Sequence, residues 1–98
     1  MQKVATIEFD DRKQAVTVMR ALESYRMRLQ ASIARTQRKL QSFELSYKTT
    51  TDSFLKNMTA EDLEGGDLEY IDWAGEADMI EGLQTELKAI DHARSQLP

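Results

Sequence analysis

Between Gln14 and Tyr47 apolar residues return every three or four positions, with no Gly or Pro among them. Ala15, Met19, Leu22, Arg26, Leu29, Ile33, Thr36, Leu40, Phe43 and Tyr47 alternate steps of four and three. Only Arg26 and Thr36 interrupt the apolar or aromatic run. A narrow stripe of that period holds one seam of a helix against a partner helix. A helix of about 35 residues is roughly 50 Å long, which exceeds the width of a small domain. Its own chain cannot bury all of it.

A second pattern of the same kind follows the glycine pair Gly65-Gly66. Trp73, Glu76, Ile80, Leu83, Leu87, Ile90, Arg94 and Leu97 form its seam. Another face carries Leu68, Ile71, Gly75, Gly82, Ala89 and Ala93. Mid-helix glycine costs about 1 kcal/mol relative to alanine. A large-residue seam with a small-residue face therefore predicts a helix packed on two sides, as in a bundle. Between the two patterns, Thr49-Thr50-Thr51-Asp52 combines β-branched residues with helix-capping types. Phe54, Leu55 and Met58 then suggest a short helix, and Thr59 with Asp62 a second cap.

The predicted architecture is all-α: an antiparallel helical hairpin of two long helices with coiled-coil packing and a short helical connector. Its boundaries are an extended segment at 1–10, helix at 11–48, connector at 49–66 and helix at 67–96, all in one domain spanning 1–98. Two long seams on one short chain predict a homodimer, most simply a four-helix arrangement. Lys3 to Phe9 reads K-V-A-T-I-E-F and is a strand candidate with no second strand to pair with. Asp10-Asp11 with Gln14 form a variant capping box for the first helix.

Charge is divided unevenly. Residues 1–48 carry ten Lys or Arg and five Asp or Glu, whereas residues 49–98 carry three and twelve. No basic residue lies between Asn57 and Glu86. The halves therefore attract each other, or each meets a different partner. Arg26 inside a seam calls for an acid, and Glu76, the odd residue of the second seam, is the candidate. The basic residues of the first helix are spread around it without interleaved aromatics, and the net charge is −4. Direct DNA binding is not expected. A strand followed by a helix also suits ribbon-helix-helix DNA binders, but their helices are much shorter.

Catalytic and metal chemistry finds little support. His92 is the only histidine, and no cysteine is present. The acidic stretch lacks calcium-loop and di-iron spacing, and Gly65-Gly66 lacks the G-K-[ST] end of a phosphate loop. The expectation is a protein that is not an enzyme and has no cofactor. No apolar run reaches the 18 or so residues of a membrane span, which predicts a cytoplasmic protein without membrane contact.

Residues 49–90 add a resemblance. T-T-T-D-S-F-L, followed by M-T-A-E-D-L-E-G-G-D-L-E-Y-I-D-W-A-G and the seam Ile80, Leu83 and Leu87, resembles a group of small prokaryotic helical proteins. The matching positions are Thr51, Phe54, Leu55, Gly66, Asp67, Asp72, Trp73 and Ala74. Members of that group are antitoxin-like and are encoded beside predicted toxins, often of ribonuclease type. Here Glu64-Gly65-Gly66 stands where a longer G-x-x-G-D turn is usual, and residues 1–48 match nothing in the group. Trp73-Ala74-Gly75 also spells W-x-G, the mark of small secreted helical hairpins, which place it in the mid-chain turn. The antitoxin-like resemblance implies a cognate toxin as partner, masked by an acidic helical face. Asp67, Glu69, Tyr70, Asp72, Trp73 and Glu76 are then the candidate contacts, with Tyr70 and Trp73 as apolar anchors. The alternative is a structural or adaptor coiled coil outside any toxin pathway.

Overall fold

The computed structural model describes residues 12–97, so the strand candidate Lys3–Phe9 and the Asp10-Asp11 cap lie outside the described residues. Helix α1 spans Arg12–Tyr47, α2 spans Thr51–Asn57, a single 3-10 turn spans Ala60–Asp62, and α3 spans Gly66–Ser95. The described residues contain no strand. α1 and α3 pack against each other as an antiparallel hairpin, with α2 and the 3-10 turn folded onto one end.

The stop of α1 falls at Tyr47, within a residue of the expected boundary, but its cause differs. Lys48, not the threonine run, turns the chain: its φ of 52° is left-handed, and the Thr49 amide donates to the Glu44 carbonyl at 3.2 Å. That bond is the wrap-around geometry in which glycine usually ends a helix. The threonines then start α2. Thr50 accepts from the Ser53 amide at 3.1 Å, and the Thr51 amide donates to the Glu44 carboxylate at 2.8 Å. The cap foreseen at Thr59 and Asp62 is present, with the Asp62 carboxylate 2.8 Å from the Thr59 amide.

Two glycines are required where α3 begins. Gly66 sits at φ +63°, where a side chain is strained, and a Cβ on Gly65 would lie 2.8 Å from the Glu69 Cβ. Both follow from the tight entry of the connector into α3.

The seam of α1 faces α3 as its spacing predicted. Leu29, Ile33, Thr36 and Leu40 are buried, and Met19, Leu22, Arg26, Phe43 and Tyr47 are half-buried. The α3 seam is covered less completely. Trp73 is buried, whereas Ile80, Leu83, Leu87 and Ile90 are only half-buried. Within the single chain the small-residue face of α3 is uncovered: Leu68, Ile71, Gly75, Gly82, Ala89 and Ala93 are exposed. Among the described residues α1 covers one side of α3, and α2 does not reach this outer face.

Candidate protein-interaction surface

Trp73 organises the connector end. It is fully buried and stacks on Phe54 at 3.9 Å, Phe43 at 5.0 Å and Tyr47 at 5.7 Å between ring centroids. Its indole N–H donates to the Thr51 hydroxyl at 3.0 Å, so burial leaves no polar atom unsatisfied. Leu40 and Leu63 complete this cluster, with Met58, Tyr70, Ala74, Ala77 and Ile80 around it. Tyr70 packs its ring 5.0 Å from Phe54. Trp73 is therefore a core residue and not an exposed anchor, and Tyr70 is half-buried beside it.

The candidate acids are mostly occupied within the chain. Glu69 accepts from the Tyr47 hydroxyl and from the Gly65 amide, and the same hydroxyl accepts from the Glu64 amide at 2.9 Å. The bond to Glu69, and after it burial, raises the Tyr47 pKa above its ordinary value. Lys39 meets Asp72 at 2.9 Å and Glu76 at 3.6 Å, and its own pKa is raised chiefly by the Asp72 hydrogen bond. Asp67 alone of the candidate acids is exposed and has no ion pair among the described residues.

Arg26 pairs with Asp91 at 2.7 Å instead of Glu76. The antiparallel register decides this. Glu76 lies fifteen positions nearer the connector than Asp91, roughly 22 Å along the helix. Asp91 also meets Arg94 at 3.8 Å, and Arg94 meets Glu23 at 3.1 Å. Met19, Arg26, Asp91, Arg94 and Ser95 line an open cavity at that end.

The pattern missed the groups that do face solvent. Leu68 is 81% exposed and Ile71 65% exposed, three positions apart on α3. Asp67 and Asp78 lie on the same outward side, and Glu61 and Glu64 are exposed on the adjoining connector. Leucine and isoleucine on the face opposite Trp73 were the signal for this patch, since a core seam cannot use both faces of one turn. Leu55, 46% exposed on α2, adds apolar surface at the same end.

Among the described residues no group of three or more His, Cys, Asp or Glu is placed to hold a metal ion, and no helix is long and apolar enough to cross a membrane. Comparison with protein-family models, curated proteins and solved structures finds no match to this chain. The resemblance of residues 49–90 thus rests on its own positions, and the fold explains most of them. Thr51, Phe54 and Trp73 build the aromatic cluster, Ala74 packs against it, Gly66 makes the turn and Asp72 holds Lys39. Leu55 and Asp67 remain on the surface.

Proposed function

We propose that this chain is a non-enzymatic protein-interaction module, the cytoplasmic antitoxin-like partner of a prokaryotic toxin. It works as a homodimer and does not itself bind DNA. The observation that carries this reading is the start of α3, where Leu68 and Ile71 stand exposed beside the exposed Asp67. Exposed large apolar groups rimmed by charge mark interaction sites. An enzyme that holds phosphates is electropositive, so an acidic rim speeds and selects the encounter while the apolar pair supplies affinity. Glu69, Asp72, Glu76, Tyr70 and Trp73 support that surface from behind.

The test is co-expression with the product of the neighbouring reading frame. The reading expects a toxic product, rescue of growth by this chain, and co-purification. Converting Leu68 and Ile71 to Ser together with Asp67→Lys should abolish rescue and leave helicity unchanged. Rescue that survives these changes removes the surface from the mechanism. A harmless neighbour favours the second reading, a structural or adaptor coiled coil, which draws support from the acids committed to intrachain pairs.

A further inference from the structure

We infer that the uncovered flank of the hairpin receives a second copy of this chain, with each α1 lying along α3 of the partner subunit. This rests on the homodimer reading above and goes beyond it by naming the surface. Two stripes meet on that flank. On α1 it is Ala21, Tyr25, Arg28, Ser32, Arg35 and Lys39; on α3 it is Asp72, Gly75, Met79, Gly82, Glu86 and Ala93. The bonds from Lys39 to Asp72 and from Tyr25 to Glu86 put both stripes on one side of the hairpin. The connector packs elsewhere, against Tyr70, Ala74 and Ala77.

Charge complementarity selects the occupant. The α1 stripe contains cations and no carboxylate, and the α3 stripe contains carboxylates and no cation. Among the described residues Arg28 reaches only the Ser24 hydroxyl and the Tyr25 ring, and Arg35 has no ion pair. A copy turned by a two-fold axis along the bundle brings the basic stripe onto the acidic one twice, and every neighbouring helix pair stays antiparallel. Like stripes facing each other would repel.

Register agrees with charge. The intrachain contacts level Thr36 with Met79 and Lys39 with Glu76, and a two-fold axis along the bundle preserves height. At that level, within a few residues, Arg28 faces Glu86 of the partner subunit. Ala21 then meets Ala93 of the partner subunit, Ser32 meets Gly82 of the partner subunit, and Lys39 meets Gly75 of the partner subunit. In these four pairs the long side chains, Arg28 and Lys39, fall opposite an opposite charge and a glycine. A Cβ at Gly75 or Gly82 would touch nothing within 4 Å in the single chain, so intrachain packing does not require either glycine. Met79, 49% exposed, and the half-buried Leu83 and Leu87 border the same flank, and a second hairpin would cover them.

Because the chain has no cysteine, disulfide trapping tests the geometry directly. S32C and G82C chains, mixed and oxidised, should form a mixed disulfide between copies, and neither variant alone should cross-link. Light scattering after size exclusion should report a dimer for the native chain at micromolar concentration. E86R should raise the dimer dissociation constant by about tenfold or more, and mixing E86R with R28E chains should restore association. A monomer would overturn the homodimer reading and this surface together. A native dimer without the Ser32–Gly82 cross-link, or one joined by G82C to G82C, overturns this surface alone.

Discussion

The two ends of the hairpin solve the same packing problem by different means. At the connector end the chain turns back on itself, so α2 and the 3-10 turn form a third wall against α1 and α3. Trp73 and Phe54 become fully buried there, and the tryptophan N–H finds Thr51. At the open end, among the described residues, only two helices meet. Leu22, Leu87 and Ile90 stay half-buried, and the cross-helix links are polar, running through Arg26, Asp91, Arg94 and Glu23. Two cylinders can cover only a strip of each other, so stability concentrates where a third element closes the seam.

The sharpest way to break this comparison is Trp73→Ala. Removing a fully buried aromatic costs about 3–5 kcal/mol, and here it also orphans the Thr51 hydroxyl contact. Urea unfolding followed by circular dichroism should show that loss. Leu87→Ala at the open end should cost less, about 1–2 kcal/mol, because its side chain is only partly buried. Equal losses from the two substitutions would refute the asymmetry. If copies pair along the uncovered flank, the Leu87 cost should grow with protein concentration.

Lys48→Gly tests the turn that begins the connector. Relieving a left-handed non-glycine residue should stabilise the chain by about 1 kcal/mol, read as a higher urea midpoint. At the open end, Arg26→Ala should cost at most about 1 kcal/mol, and the loss should shrink in high salt, since both groups are partly solvated.

The smallest effect is in pH. The Tyr47 pKa is raised in the folded chain, chiefly by its hydrogen bond to Glu69. The stability from this phenol is fully present below the unfolded tyrosine value of about 10 and is lost as pH rises through the higher folded value. Tyr47→Phe should flatten that part of the alkaline stability profile. A profile unchanged by the substitution would show that the latch among Tyr47, Glu69 and Gly65 contributes nothing.

Much of the fold was legible in local pattern. The α1 stripe named the residues that face α3, and the capping types at Thr50, Thr59 and Asp62 marked the breaks in the connector. Helix and cap are local events, decided within about four residues, so the order of side chains determined them. The tertiary structure alone decided which distant groups met. Arg26 took Asp91 because antiparallel register sets height along the bundle, and no seam position carries that height. Trp73 and Tyr70 went inward because α2 folds over them, while Leu68 and Ile71 were left outward on the same helix. Periodicity tells how many faces a helix has; only packing tells which face is covered. The left-handed Lys48 was equally hidden, since the sequence offers no glycine there and only the closing of the connector holds that backbone in place.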